Sequence, residues 1–441
     1  MSNALLKTLG TLLLLLLLLP VNAAAVLASL LWHTVTRGGP QTPSPNQQTI
    51  MLTGGKMTKA LQLARAFHQA GHRVVLVETH KYWLTGHRFS NAVDRFYTVP
   101  APQEDLEGYT QGLLDIAKSE AVDVYIPVCS PASSYYDSLA KATLERCCRV
   151  FHFEVAVTKT LDDKFAFAEA ARSLGLPVPK SFKITDPQQV LDFDFSQETR
   201  PYILKSIPYD SVRRLNLTKL PCPTPEETAT FVSSLPISAA KPWIMQEFIP
   251  GQEYCTHSTV KGGELRLHCC CASSPFQINY DPVEMPDILD WVRHFVQAMA
   301  LTGQASFDFI RAEDGTPYAI ECNPRTHSAI TLFYNHPGVA EAYLGEAQPE
   351  PLQPLPGGKP TYWLYHELWR LLTARSLQQI RSRLSVISRG KDAIFDRHDP
   401  LPFLMVHHWQ IPLLLLDNLR RGSRWIKIDF NIGKLVEPGG D

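Results

Sequence analysis

The sequence predicts an α/β protein, and two stretches support that prediction. Between residues 49 and 78, a strand, an amphipathic helix and a second strand follow one another, which is the βαβ order of a parallel sheet. Between residues 305 and 325, two runs of alternating apolar residues flank Asp314-Gly315, which is the strongest short-range signal for a β-hairpin. The chain therefore combines a parallel sheet with an antiparallel hairpin.

The composition indicates a globular protein of several domains. Of 441 residues, 45% are hydrophobic, and 42 Lys and Arg balance 43 Asp and Glu, so no basic excess favours nucleic acid. The nine cysteines include no CxxC pair and predict small buried side chains in a reducing compartment. We expect five regions: a hydrophobic, anchor-like segment at 1–35, a linker at 36–48, an N-terminal domain at 49–150, a second domain at 151–337, and a C-terminal extension at 338–441.

The N-terminal segment from Ala4 to Trp32 is almost entirely apolar and contains Leu12–Leu19 unbroken. A membrane span needs about 20 residues, so we expect a retained anchor. Two alternatives stay open. The run 22–25 (Asn-Ala-Ala-Ala) suits a signal-peptide cleavage site, and Pro20 would kink a helix and permit a re-entrant or interfacial segment. Basic residues occur on both sides of the segment, so charge leaves the orientation open.

The N-terminal domain begins with a strand at 49–53, followed by the turn Gly54-Gly55-Lys56 and a helix at 58–69. The turn lacks the G-x-G-x-x-G spacing of a dinucleotide site, and Met57 stands where a phosphate P-loop needs Ser or Thr. We therefore expect these glycines to form a tight turn beside a small ligand.

A further buried strand at 122–128 leads into a polar loop that contains Ser130, Ser133 and Ser134. Open α/β sheets bind ligands at the carboxyl ends of their strands, so this loop is a candidate binding element. A purely structural loop is the alternative.

Three more stretches precede the hairpin. Asp162-Asp163-Lys164 begins a helix that should run to Leu174 and end at Gly175. The strand at 200–205 ends in Lys205, and the strand in 243–253 runs into a Pro-Gly turn and a final carboxylate. Taken singly, these patterns are also compatible with solvated lysines and acids on an ordinary fold.

The hairpin itself predicts a cation site. A two-residue turn at Asp314-Gly315 places Asp308 opposite Glu321, and Asn323 lies on the same face. Two carboxylates this close repel each other unless a proton or a cation lies between them. Mg²⁺ commonly uses one or two carboxylates plus substrate phosphates, so these side chains are candidate ligands. A solvated strand face with ordinary acidic residues is the alternative.

Taken in order, these patterns resemble the ATP-grasp superfamily over roughly residues 49–335. The resemblance implies a Rossmann-like preATP-grasp domain followed by an ATP-grasp domain, with ATP and Mg²⁺ (or Mn²⁺) as cofactors. It assigns the nucleotide phosphates to Lys164 and Lys205, the adenine to Gln246, Glu247 and Ile249, the ribose to Glu253, the metal to Asp308, Glu321 and Asn323, and the transferred phosphate to Arg325. It makes Arg325 and Lys205 the candidate catalytic residues.

One element of the family pattern is missing. The stretch 206–216, where the family has a glycine-rich flap over the phosphates, contains no glycine. We expect Ser211, Arg213 or Arg214 to take its place, since arginine forks match phosphate geometry.

Longer stretches resemble one group of ATP-grasp ligases, the mycosporine-glycine synthases. They lie at residues 54–72, 80–103, 161–176, 321–345 and 428–437. This resemblance implies that ATP phosphorylates an enol oxygen of 4-deoxygadusol. The amine of glycine then adds at the carbon that bears this oxygen, and phosphate leaves. We expect the acceptor between the N-terminal sheet and the hairpin, near the serine loop and Arg325, Thr326, His327 and Ser328.

Two other functions stay open. One is an amino-acid or dipeptide ligase that works through an acyl phosphate, and the other is a membrane-tethered nucleotide-binding protein without catalysis. For each of these functions we expect the nucleotide-binding part of the chain in the cytoplasm, anchored to the membrane if the hydrophobic segment is retained.

The C-terminal extension is expected to be helical. Residues 362–387 have helical periodicity with many basic side chains, and residues 409–428 place four consecutive leucines beside arginines and tryptophans. The second run is too short to span a bilayer and favours a core helix packed on the second domain, with a membrane-surface helix as the alternative.

Overall fold

A computed structural model describes residues 3–36, 44–128, 130, 133–207, 213, 216–273 and 279–437. It begins with one long helix, α1, at Asn3–Thr36. Pro20 lies inside α1 and does not interrupt it, so the predicted segment forms one continuous helix.

The N-terminal domain is a five-stranded parallel sheet with helices between its strands. Its elements are β1 Thr49–Leu52, α2 Thr58–Gln69, β2 Arg73–Thr79, β3 Arg95–Val99, α3 Leu106–Ser119, β4 Val124–Ile126, α4 Ser134–Leu144 and β5 Arg149–Val150, with strand order β3-β2-β1-β4-β5. Strands β1, β2 and β4 are almost entirely buried, because helices cover both faces of such a sheet. This confirms the parallel sheet that the βαβ pattern predicted.

The turn after β1 depends on glycine. Gly54 has a φ of +71°, and a Cβ at this position would lie 2.1 Å from the carbonyl oxygen of Val128. Residue 54 therefore brings the end of β1 against the end of β4, which is the edge where the serine loop begins.

The next part of the chain is a small antiparallel sheet surrounded by helices. Its elements are α5 Val155–Asp162, α6 Lys164–Ser173, β6 Ser181–Ile184, α7 Gln188–Leu191, β7 Tyr202–Ser206, α8 Pro225–Ser233 and β8 Trp243–Glu247, with strand order β6-β8-β7. The side chain of Asp163 caps α6 by accepting from the backbone N–H groups of Phe165 and Ala166. The helix therefore begins at Lys164, close to the predicted start.

A four-stranded antiparallel sheet follows and contains the hairpin. This part of the chain contains β9 Gly251–Lys261, β10 Glu264–Ala272, β11 Asn279–Tyr280, α9 Pro286–Ala298, β12 Gly303–Ala312, β13 Pro317–Asn323 and α10 Val339–Leu344. The sheet consists of β10-β9-β12-β13, whereas β11 belongs to another sheet. Helix α9 packs on this sheet through Trp291 and Phe295, which contact Phe307 on β12. The core under the hairpin is therefore aromatic.

The extension is helical with short strands, as expected. Its elements are β14 Thr361–Tyr362, α11 Leu364–Leu372, α12 Leu377–Arg389, β15 Lys391–Asp392, α13 Leu401–Met405, α14 Ile411–Arg421, β16 Lys427–Asp429 and β17 Lys434–Val436. One face of α14, with Ile411 and Leu415, is buried, so α14 is a core helix, but it packs mainly on α1 and β17 and not on the second domain as predicted. The largest core cluster joins Leu15 of α1, Phe67 of α2 and Trp363 of the extension. Both ends of the chain thus contribute to one core.

Candidate active site

The hairpin of β12 and β13 forms the floor of the candidate site. Asp308 lies opposite Glu321, and Ser306 lies opposite Asn323. The predicted pairing of the two carboxylates is therefore confirmed, and Asn323 follows two residues after Glu321 on the same face.

The turn of this hairpin differs from the prediction. Ala312 pairs with Thr316 through a 3.0 Å hydrogen bond from the Ala312 N–H to the Thr316 carbonyl, so the loop has three residues instead of two. This shifts the register by one residue as far as Phe309, and a β-bulge beside Asp308 then shifts it back. The predicted turn was wrong, and the predicted carboxylate pair is right because the bulge cancels that error.

The two carboxylates are in contact and have opposite pKa shifts. Burial and the charge of Glu321, with a hydrogen bond between the two side chains, raise the pKa of Asp308 well above its usual value. Burial also acts to raise the pKa of Glu321, but the charges of Lys164 and Lys205 outweigh it and hold that pKa below its usual value. The two lysines therefore favour the charged form of Glu321, whereas burial and Glu321 favour the neutral form of Asp308.

Lys164 and Lys205 come together at Glu321, although they lie on different elements. The Nζ of Lys164, at the start of α6, lies 3.2 Å from Oε2 of Glu321. Lys205 lies on β7, where burial lowers its pKa and the charge of Glu321 acts in the opposite direction. Two cations and one ionised carboxylate thus face one another across three elements.

These residues fit a hard divalent cation. Carboxylate and amide oxygens are ligands that Mg²⁺ accepts, and Asp308, Glu321 and Asn323 supply them on one strand face. Throughout the described ranges, no three His, Cys, Asp or Glu side chains are grouped closely enough to hold a metal ion. A cation here would therefore depend on the Asn323 amide and on substrate phosphates as well as on the two carboxylates.

The strand β8 and the turn after it lie beside the hairpin. Nε2 of Gln246 donates to the carbonyl of Ile320 at 3.3 Å, which ties β8 to the bulged residue of β13. The carboxylate of Glu247 pairs with Arg200 at 3.2 Å, and its N–H donates to the Lys180 carbonyl at 2.8 Å, so both groups are used within the protein. Ile249 is buried, and its N–H has no backbone acceptor within the part of the chain that the structure describes.

Glu253, the predicted ribose contact, lies on the strand next to the hairpin. It lies on β9 opposite Ile310 of β12, and Ser273 donates a 3.3 Å hydrogen bond to its carboxylate. Its charge acts on the pKa values of both Lys205 and Asp308, which places it within electrostatic reach of the lysine–carboxylate cluster. Of the predicted flap residues, Ser211 and Arg214 lie outside the described residues, and Arg213 is exposed.

On the other side of the hairpin, the serine loop of the N-terminal domain meets the end of β13. Oγ of Ser134 donates to the carbonyl of Pro324 at 2.6 Å, and the hydroxyls of Ser130 and Ser133 are 2.9 Å apart. A cavity at the same sheet edge is lined by Gly54, Lys56, Ser130 and Ser133, among others. The loop that the sequence singled out therefore lies next to Arg325.

Arg325 is oriented by one hydrogen bond and one ion pair. It donates to Oδ1 of Asn323, and its Nη1 lies 3.8 Å from Oδ1 of Asp162 at the end of α5. Burial raises the pKa of Asp162, while the nearby Arg325 and Lys164 act against that effect. The guanidinium is thus held next to the candidate metal ligands.

Thr326, His327 and Ser328 line the path from Arg325 towards the extension. The N–H of His327 donates to Nδ1 of His257 at 3.2 Å, and burial lowers the pKa of His327 to about 3. This imidazole is therefore neutral at physiological pH. Ser328 is held by Asn431, whose amide lies within 2.7 Å of the Ser328 hydroxyl.

Three residues that contact this site were not predicted as site residues. They are Asp162, which contacts Arg325; Lys59 of α2, whose Nζ donates to the Thr326 carbonyl at 2.6 Å; and Asn431 of the C-terminal tail. The carbonyl of Asn431 also accepts from the Thr58 N–H at 2.9 Å, so the tail bridges α2 and the hairpin exit. Such contacts join distant parts of the chain, and local patterns carry no information about them.

No protein-family model matches the chain, and no curated protein matches it. Solved structures do match. The N5-carboxyaminoimidazole synthetase of Staphylococcus aureus complexed with ADP has a TM-score of 0.53 at 13% identity, covering 73% of this chain and 82% of that chain. The enzyme from Aspergillus clavatus with ADP and 5-aminoimidazole ribonucleotide has a TM-score of 0.53 at 14% identity, covering 71% and 81%.

A third similar structure is the biotin carboxylase–β,γ-ATP complex from Campylobacter jejuni, with a TM-score of 0.53 at 13% identity, covering 69% of this chain and 72% of that chain. At these identities the likeness concerns the fold. The chain has the ATP-grasp fold with an N-terminal Rossmann-like domain, as its sequence predicted.

Proposed function

We propose that this protein is an ATP-dependent ligase that forms a C–N bond through a phosphorylated intermediate. The observation that supports this most is the convergence of Lys164 and Lys205 on Glu321, which is itself paired with Asp308. Two cations suit the phosphates of a nucleotide, and two carboxylates suit the metal ion that accompanies it. The ATP-grasp fold of the chain agrees with this chemistry.

In this proposal each part of the site has one role. Lys164 and Lys205 bind the ATP phosphates, the turn after β8 receives the adenine, and Glu253 accepts from the ribose hydroxyls. Bound at Asp308, Glu321 and Asn323, Mg²⁺ or Mn²⁺ would offset charge on the transferring phosphoryl group. Arg325 stabilises the phosphorylated acceptor, because its planar fork matches phosphate oxygens, and Asn323 and Asp162 hold it in place.

For the substrates, we propose 4-deoxygadusol and glycine, with mycosporine-glycine, ADP and phosphate as products. The support is the sequence resemblance over most of the chain, together with the position of the serine loop beside Pro324 and Arg325. An enol oxygen of the ring would take the γ-phosphoryl group of ATP. The glycine nitrogen would then bond to the ring carbon that carries the phosphorylated oxygen, lose a proton and expel phosphate.

A second candidate is a carboxylate–amine ligase that uses an acyl phosphate. The same nucleotide side would serve it, since only the acceptor differs. We place the catalytic part in the cytoplasm in both cases, where ATP and reduced cysteines are available; the described cysteines are all free thiols.

The test is incubation of the purified protein with Mg-ATP, 4-deoxygadusol and glycine, alanine, serine or lysine, following ADP release and a new ultraviolet-absorbing product. We expect glycine to be preferred by about 10–200-fold over alanine, the range for one methylene in a tight pocket. Hydroxylamine in a parallel reaction traps an acyl phosphate as a hydroxamate and would identify the second candidate. The ligase proposal would be overturned if, with every acceptor, the unchanged protein released ADP no faster than the Asp308→Asn variant.

A further inference from the structure

Helix α1 lies against the C-terminal extension between Lys7 and Asn22. Near its start, Nζ of Lys7 donates to the carbonyl of Ile426 at 2.6 Å and lies 3.8 Å above the ring of Trp425. Fifteen residues later, Nδ2 of Asn22 donates to the hydroxyl of Tyr365 at 2.6 Å. Leu15 between them is 3% exposed, so the contact runs continuously along one face.

The length of this contact bears on how the helix can meet a bilayer. At 1.5 Å per residue, the distance from Lys7 to Asn22 is about 22 Å, against a hydrocarbon thickness of about 30 Å. If α1 crossed a membrane while docked, α14 and the segment after it would have to enter the hydrocarbon too. They carry Arg420, Arg421 and Arg424 and an irregular backbone between residues 422 and 426, which hydrocarbon excludes. The docked helix therefore does not span.

The opposite face of α1 is apolar and uncovered. Leu17, Val21 and Leu31 are each 66% exposed. The segment Leu5–Trp32 has the length and composition of a membrane helix, yet the polar side chains of Lys7, Thr8 and Asn22 all face the extension. Because the extension covers the polar stripe, only the uncovered apolar face of α1 can enter a bilayer while the helix stays docked.

A second exposed apolar element adjoins α1. Tyr365, the partner of Asn22, lies at the start of α11, and the pair of helices α11 and α12 projects from there. Leu372 and Leu377 are 74% exposed, Trp369 is also exposed, and α12 has no buried residue. Residues 364–389 contain five arginines and one acid, Glu367, which is buried and paired with Arg370 and Arg383.

From these observations we propose that α1 and the α11–α12 pair form one membrane-binding face, which holds the protein on an anionic bilayer with α1 lying in the membrane plane. The apolar side chains enter the boundary between headgroups and acyl chains, and the arginines bind anionic headgroups. The charge favours lipid over a second copy of the chain, because two arginine-rich faces would repel each other. This proposal is independent of the ligase activity.

Cysteine labelling distinguishes an in-plane helix from a spanning one. The purified full chain carrying Asn3→Cys or Thr36→Cys, at the two ends of α1, is added to preformed vesicles of phosphatidylglycerol and phosphatidylcholine and treated with a membrane-impermeant maleimide. The exposed native Cys147 reports complete labelling from outside. We expect both ends to label from outside without detergent. Protection of either end until detergent is added would overturn the proposal.

Flotation with the same vesicles tests the second element. We expect Leu372→Glu with Leu377→Glu to lower the bound fraction at least about fivefold, because charge is placed where lipid should be, and we expect binding to fall in vesicles of phosphatidylcholine alone. The matched control is Leu191→Glu, at an exposed leucine of α7 that lies outside α1, α11 and α12. This variant should bind the vesicles normally. Unchanged binding of the double variant, or dimers without flotation, would contradict the proposal.

Discussion

The charges around the hairpin predict that its two carboxylates respond differently to neutralisation. Asp308→Asn removes a carboxyl group whose pKa is raised by burial and by Glu321. A raised carboxyl pKa means that the folded state binds more protons than the unfolded state, so its ionisation destabilises the fold as pH rises above the unfolded value. At neutral pH, Asp308→Asn should therefore leave the melting temperature of the ligand-free protein unchanged or raise it.

Glu321→Gln should have the opposite effect on stability. Glu321 is the carboxylate nearest Lys164, at 3.2 Å, and its charge also offsets Lys205. Exposed ion pairs contribute about 0–1 kcal/mol and breaking a buried pair costs about 3–5 kcal/mol. Since Glu321 and Lys164 are 27% and 20% exposed, we expect a loss of about 1–2 kcal/mol, or about 1–2 °C in melting temperature for a chain of this length.

The two variants should nevertheless lose turnover alike. Each removes an anionic ligand from the candidate cation site, and we expect ADP release to fall by about 100-fold or more. The measurements are thermal melting without ligand and ADP release with saturating Mg-ATP, with Glu313→Gln in the exposed hairpin loop as the matched control. Near-normal turnover in both variants, or equal stabilisation by both, would refute this account of the charges.

Three further predictions concern the lysines, the N-terminal helix and the buried histidines. Lys164→Ala and Lys205→Ala should each weaken the binding of a non-hydrolysable ATP analogue in titration calorimetry, whereas Lys118→Ala, at an exposed lysine, should not. If both site variants bind the analogue as tightly as the unchanged protein, neither lysine contacts the nucleotide. A chain that begins at Thr49 should keep ATP-dependent turnover but melt at a lower temperature, because it lacks Leu15 and the contacts of Lys7 and Asn22 with the extension; an inactive but folded chain would place α1 in the catalytic machinery. Burial lowers the pKa of His87 and of His268 to about 4, below the unfolded value of about 6.5. The free energy of unfolding, measured by denaturant titration, should therefore fall as the pH drops from about 6.5 to about 4. In the His268→Asn variant this fall should be smaller.

The sequence alone determined the parallel sheet, the hairpin and the order of the candidate residues along the chain. Strand and helix periodicity, glycine turns and helix caps act over a few residues, so β1–α2–β2 and the capped start of α6 at Asp163 could be predicted locally. The Asp308–Glu321 pair was predicted from a two-residue turn that the structure does not have, and it forms because of a bulge at Ile320 that the sequence does not indicate.

Only the tertiary structure decided how these elements meet. The lysines converge on Glu321 because β7, α6 and β13 pack together, and Asp162 orients Arg325 across two elements. The apolar sequence of the N-terminal segment is the same whether the helix spans a membrane or docks on the extension. Its contact with Tyr365 joins residues 343 positions apart, so only the folded chain shows the docking. Local patterns reflect the preferences of neighbouring residues, whereas burial of a lysine or docking of a helix depends on surfaces that exist only after the chain has folded.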